Sequence, residues 1–259
     1  MSDTLKFVFN EDKLPDLEEP YLICGLPGSG YVGKLAVEHI IQEVNAKLLA
    51  DIYSPSFPPQ VMIRSNGTAE LMKNTIYYKK NDGKPDMLLL TGDGQPLTPE
   101  AEYTLGTEIL ELADKFHTKT VFTLAAYITG VFVDKPKVYT TATDEDLLKE
   151  FQSKGMIVMD GGSIIGMNGL IVGLAKSKGM RGICLLGETS GYVVDAKASQ
   201  AILEALLDQI NVKIDMKNLE KRAKDTEALI QTIEQQMQKR SMAEQQQTKP
   251  SSKDVGYIS

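Results

Sequence analysis

The residues with the clearest chemical potential are three glycines. Gly28, Gly30 and Gly33 fit the G-x-G-x-x-G spacing that lets a backbone approach a pyrophosphate, and Asp51 stands near the position, about 20 residues on, where an acid would hold a ribose hydroxyl. Read from Gly28 to Lys34, the same stretch approaches a P-loop. Leu35, however, occupies the place where a Ser or Thr hydroxyl would reach magnesium, and that sets the P-loop aside. The glycines have a second explanation: a tight strand-to-helix turn demands positive φ and close backbone approach with or without a ligand. Both explanations stay open on the sequence alone.

Two carboxylates join this candidate loop. Asp93 and Glu188 each follow an apolar run near glycines, and in an open parallel sheet such turns share the carboxyl edge where ligand crevices form. They serve equally as turn caps. His39 and His117 are the only imidazoles, one on a helical stretch and one at a helix end, where the dipole favours a cation. Neither metal-ligand spacing nor a nucleophile elbow is present, so the sequence calls for no metal and no cofactor.

The elements that must position these residues read as α/β. The apolar run Leu22-Ile23-Cys24 ends in the glycine turn, and Lys34 to Val44 then carries an apolar stripe at helical spacing. Leu5 to Phe9 and Lys47 to Tyr53 read as strands, and three prolines between Pro55 and Pro59 stop the second. Val61 to Arg64 and Ala69 to Lys80 read as a hairpin around Asn66-Gly67, a departure from the dinucleotide plan, which wants a helical crossover there. Strands follow at Met87 to Thr91, Thr120 to Ala126, Val138 to Thr143, Met156 to Met159 and Gly182 to Leu186, the last closed by a turn from Gly187. Helices are expected from Pro99 to about His117, capped by Thr98, from Glu145 to Ser153, in the second half of the glycine-spaced segment 161–175, and from Asp195 to Ile210. The expected architecture is a mostly parallel central sheet with flanking helices.

Composition narrows the classes of function. With 259 residues, 42% hydrophobic and 24% charged, the chain has the make-up of a soluble globular protein with a sizeable core. The formal charge is −7; from Asn211 onward nine Lys/Arg face seven Asp/Glu, so the preceding body carries −9 and lacks the clustered cations that nucleic acid requires. Cys24 and Cys184, both inside apolar runs, point to buried reduced thiols. No apolar segment approaches the ~20 residues of a membrane span, and the N-terminus lacks a signal-peptide pattern, so a cytoplasmic protein without a membrane partner is expected.

The C-terminal part differs in kind. Met216, Leu219, Ala223, Thr226, Ile230, Ile233, Met237 and Arg240 alternate steps of three and four, a heptad seam that either packs on the body or pairs between subunits. Gln245 to Asp254 has no apolar periodicity, yet the chain ends Val255-Gly256-Tyr257-Ile258-Ser259. A tethered aromatic residue with a free carboxylate suits capture in a partner's pocket. Three parts are thus expected: a domain over 1–212, a heptad helix over 213–245, and a flexible tail over 246–259.

Together these pieces resemble the second type of the proteasome-assembly-chaperone family, particularly its archaeal members. The stretches that carry the resemblance are Gly25 to Gly33, Gly166-Met167-Asn168-Gly169-Leu170, and Gly182 to Thr189, in the family's order. The resemblance implies a nucleoside-phosphorylase-like topology, homo-oligomers, no catalysis, and binding to α subunits of the proteasome core particle through a terminal hydrophobic-Tyr-any signature. Here Tyr257 is third from the end and Gly256 holds the hydrophobic place, so Tyr257, Ile258 and Ser259 would dock in a shifted register. The competing reading is a nucleotide- or nucleoside-handling enzyme built on Gly28, Gly30, Gly33, Asp93 and Glu188.

Overall fold

The computed structural model describes residues 5–81, 83, 85–230 and 232. In chain order the elements are β1 (Lys6–Phe9), β2 (Tyr21–Cys24), a short 3-10 turn (Ser29–Tyr31), α1 (Val32–Glu43), β3 (Lys47–Tyr53), β4 (Val61–Ile63), β5 (Ala69–Leu71), β6 (Asn74–Lys79) and β7 (Met87–Gly92). There follow α2 (Pro99–Lys115), β8 (Thr120–Ile128), β9 (Val138–Ala142), α3 (Glu145–Ser153), β10 (Ile157–Val158), α4 (Met167–Ser177), β11 (Arg181–Thr189) and α5 (Ala196–Ile210). A last helical run over 217–230 is called α6.

Nine strands form one sheet in the order β1-β3-β6-β7-β2-β8-β11-β9-β10, and β4 and β5 form a separate ribbon. The centre is parallel: β2 pairs with β7 and β8, and β8 with β11. All of β7 is buried, as a continuous apolar run in a central strand should be. One core lies under α2 and α4, with Leu22, Leu88, Leu105 and Ile171; the other lies under α1 and α5, with Ile23, Val37, Leu124 and Ile202. Helix starts follow their caps. Thr98 Oγ1 accepts from Ala101 N at 3.3 Å, Asp144 Oδ1 from Leu147 N at 3.0 Å, and Asp195 Oδ1 from Ala198 N at 2.9 Å.

Three expectations need correction. The sheet is mixed rather than mostly parallel, because β3, β6 and β7 run antiparallel and are joined without helical crossovers, and β9 is antiparallel to β11. The hairpin's second arm is not one strand. Asp93 N donates to Lys73 O at 2.9 Å and its carboxylate accepts from Lys73 N, pinning the chain to the end of β7, so 69–71 stays with β4 while 74–79 enters the main sheet. Finally, β11 does not turn at Gly187 but continues through Glu188 to Thr189. The glycine serves packing there: a Cβ would lie 2.8 Å from Ala198 O, so its absence lets α5 settle on the strand.

Among the described seam residues of the C-terminal segment, those from Met216 to Thr226 lie against the chain's own body. Leu219, Ala223 and Thr226 are buried, and Leu219 and Ala223 join the core under α1 and α5. Residues 233–259 lie outside the described residues, and with them the rest of the heptad and the tail.

Candidate functional site

The glycine loop joins β2 to α1, and its glycines do different work. A Cβ on Gly33 would fall 1.9 Å from Leu124 O, so the first turn of α1 lies directly on the backbone of β8. A Cβ on Gly25 would fall 2.2 Å from Gly33 O, which brings the end of β2 equally close to the same turn. Gly30 has φ +63°, and Tyr31 after it is also left-handed at φ 52°. Gly28 is extended at φ −161° with nothing within 4 Å of a built Cβ. Packing and turn geometry therefore account for Gly25, Gly30 and Gly33, whereas Gly28 has no such constraint.

Three sequence-distant stretches converge on this loop. Asn168, from the Gly166–Gly169 segment, faces the Leu26 backbone: its Oδ1 accepts from Leu26 N at 3.4 Å and its Nδ2 donates to Leu26 O at 3.5 Å. Gln95 Nε2 donates to Pro27 O at 2.6 Å, while its Oε1 accepts from Met167 N at 2.8 Å, bridging the loop to the start of α4. On the other side Asp195 N donates to Gly30 O at 2.8 Å, and Asp195 Oδ2 accepts from the buried Thr189 Oγ1 at 2.7 Å. The buried Asn168 carboxamide and Asp195 carboxylate, with the half-buried Gln95, satisfy backbone and hydroxyl groups of neighbouring loops, which is how a buried loop avoids stranded polar atoms. The glycine motifs at 25–33 and 166–169 and the turn 189–195 that follows β11 thus form one junction at the carboxyl edge of the parallel strands.

Asp93 and Glu188 sit at that edge, but not together. Asp93 follows β7 and Glu188 lies on β11; with β2 and β8 between those strands, the separation across the sheet is about 14 Å at the usual strand spacing. Asp93 Oδ2 accepts from Arg64 Nη2 at 3.2 Å and Lys73 N at 3.3 Å. Arg64 also donates to Glu70, and these acceptors, Glu70 first, push its pKa above the usual guanidinium value. Glu188 is buried, and its Oε2 accepts from Lys137 N at 3.1 Å. Asp51, the spacing candidate for a ribose acid, accepts from Lys73 Nζ at 2.7 Å and Thr75 Oγ1 at 2.9 Å. Partial burial opposes the charge on Lys73, but its contact with Asp51 outweighs that and the ammonium titrates above its usual range.

The remaining candidates are structural in their contacts. His39 is buried on α1, and its Nε2 lies 2.8 Å from Asp215 O, tying the helix to the segment before α6. His117 is exposed just past α2 in a left-handed conformation. Cys24 and Cys184 are buried and free, on strands that flank β8 and both in register with Thr123. Burial pushes the Cys184 thiol up to about 12 and drives Cys24 further in the same direction. Among the described residues no group of His, Cys, Asp and Glu could hold a metal ion, and no helix is long and apolar enough to cross a membrane.

What the sequence did not single out is the exposed apolar surface. At the carboxyl edge Ile128, Val131, Tyr192 and Val194 are all at least half exposed, with Phe132 against the Tyr192 ring at 6.4 Å. On the ribbon Val61, Ile63 and Leu71 face outward, and Val61 and Leu71 are register partners. A charged groove of about 480 Å³ runs between 134–136, α5 and α6, lined by Lys197, Glu204, Lys224 and Glu227. Tyr192 and Val194 follow a strand end in a segment read only as a turn. No periodicity signals exposure in such a segment.

The sequence profile of the PAC2 family matches residues 22–234, and the chain belongs to that family. The fold is similar to that of Pyrococcus furiosus PbaB, an archaeal proteasome activator, with a TM-score of 0.83 and 40% identity, covering 90% of this chain and 99% of that one. It is also similar to Pyrococcus furiosus PbaA, an archaeal homolog of proteasome-assembly chaperone, with a TM-score of 0.73 and 27% identity, covering 94% of this chain and 97% of that one. An uncharacterized protein of Methanocaldococcus jannaschii is 37% identical over 246 residues, 93% of each chain.

Proposed function

We propose that this chain is a non-enzymatic proteasome assembly chaperone or activator that binds the α ring of the proteasome core particle through Tyr257, Ile258 and Ser259. The observation that carries the proposal is its likeness, over nearly the full length of both chains, to PbaB, an archaeal proteasome activator. The site geometry supports it. Asp93, Glu188 and Asp195 are each engaged by neighbouring groups of the chain, and the junction that holds Asp195 has a structural purpose. On this proposal the folded part is a cytoplasmic homo-oligomer related in topology to nucleoside phosphorylases, needs no cofactor, and takes neither nucleic acid nor membrane as partner. The domain over 1–212 presents the segment 213–245, whose helix begins at 217, and 246–259 forms a tether whose final carboxylate pairs with a cation in the partner's pocket.

The test is co-migration of the full chain with purified core particle on size-exclusion chromatography, with peptide hydrolysis by the particle read in parallel. Binding is expected, with or without faster hydrolysis according to whether the chain opens the particle or assists its assembly. Failure to co-migrate at micromolar concentrations of both would overturn the proposal.

A further inference from the structure

Asn74 opens β6 and is fully buried, and neither its Nδ2 nor its Oδ1 has a hydrogen-bond partner among the described residues. The carboxamide lies over Gly92, its register partner on β7: a Cβ at Gly92 would fall 1.8 Å from Asn74 Oδ1. Gly92 is therefore glycine to make room for this amide. On β3 the register partner is Ile52, which with Ile76 and Leu90 belongs to the core under α2 and α4. Asp51 and Thr75, the nearest polar side chains along β3 and β6, alternate to the opposite face and bond to each other.

A dry carboxamide in these surroundings would carry the desolvation penalty of a donor and an acceptor at once. Native interiors rarely leave such groups bare, and the usual remedy is ordered water. The occupant has to be neutral, since the Lys34 ammonium that donates to the Gly92 carbonyl is already paired with Glu38 and leaves no counter-ion for a charged guest. It must be small, since the side chain has no exposed surface. It must also accept from Nδ2 and donate to Oδ1, and water alone among common solvent species does all of this. We infer that the buried Asn74 carboxamide, packed over Gly92, is an internal hydration site whose water completes the junction where the chain leaves the β4–β5 ribbon and enters the main sheet. Lys73, the preceding residue, is fastened at the same junction by Asp93.

The test uses the full chain. A high-resolution crystal structure should show solvent density about 2.7–3.2 Å from Asn74 Nδ2 or Oδ1. In solution the Asn74 side-chain amide protons should give cross-relaxation peaks to long-lived water. In the Asn74→Leu variant, which keeps the branching of the side chain and removes both polar groups, that solvent density should be lost. A dry amide in the density, or solvent density that persists unchanged in Asn74→Leu, would overturn the inference.

Discussion

Replacing Gly33 by alanine separates the packing role of the glycine loop from any ligand role. The added Cβ would sit 1.9 Å from Leu124 O and 2.6 Å from Leu124 C, where ordinary contact begins at 3.4 Å. Both obstacles are backbone, so no side-chain rotation relieves them; α1 must retreat from β8 by more than an ångström. Overpacking of this kind costs about 1–3 kcal/mol, and a backbone obstacle in a central strand belongs at the top of that range. Against this, alanine gains about 1 kcal/mol over glycine inside a helix. The clash wins, leaving a net loss of about 2 kcal/mol, or a midpoint lower by about 4–8 °C for a chain of this size. Gly28→Ala is the control. The position is extended with nothing within 4 Å, so its effect stays within about 0.5 kcal/mol. Thermal unfolding followed by circular dichroism reads both. A Gly33→Ala protein as stable as the parent, or a Gly28→Ala protein several degrees less stable, would refute the packing account.

Further predictions concern the junction, the thiols and α6. Asp195→Ala removes the cap on α5 and the partner of buried Thr189, at about 1–2 kcal/mol for the cap and 1–3 kcal/mol for the stranded hydroxyl, so urea unfolding should shift by at least 2 kcal/mol; a shift under 1 would contradict the interlock. Cys24 and Cys184 should resist a thiol reagent in the native protein and react fully in urea. Their folded pKa values are raised, so their contribution to stability is whole below the unfolded value of about 8.5 and falls as pH climbs, by about 1.4 kcal/mol per pH unit for each thiol; for Cys184 the loss runs toward about 12. A double Cys→Ala variant should lose less stability between pH 9 and 10.5, and an identical slope would count against this linkage. Leu219→Ala removes a buried anchor of α6, and hydrogen exchange over 217–230 should accelerate while the central strands stay protected. Unchanged exchange would mean that the helix is held by other contacts.

Much of the fold was legible because local signals agreed with tertiary demand. Lys47 to Tyr53 has its expected bounds as a strand and Glu145 to Ser153 as a helix, and the caps Thr98, Asp144 and Asp195 mark helix starts where side-chain chemistry says they should. The failures share a cause. Gly187 reads locally as a turn signal, yet it lies inside a strand to admit α5, and a glycine's role in packing depends on a partner distant in sequence. The break after Leu71 likewise depends on Asp93, some twenty residues away, gripping Lys73. At the candidate site the sequence singled out 25–33, 166–170 and 182–189, but neither Asp195 as a member of the junction nor the relation between the stretches. That Asn168 and Gln95 reach the loop backbone is a three-dimensional fact with no periodic signature. The same holds for Asp93 and Glu188, which share an edge but stand three strand spacings apart.

The central claim is that the C-terminal residues make the contact with the core particle. Equilibrium binding of immobilised core particle to the full chain and to a chain lacking Tyr257, Ile258 and Ser259 tests it most directly. The account predicts that removing the aromatic anchor and shifting the terminal carboxylate weakens binding at least a hundredfold, about 2.7 kcal/mol. Equal affinity of the two proteins for the particle would contradict it.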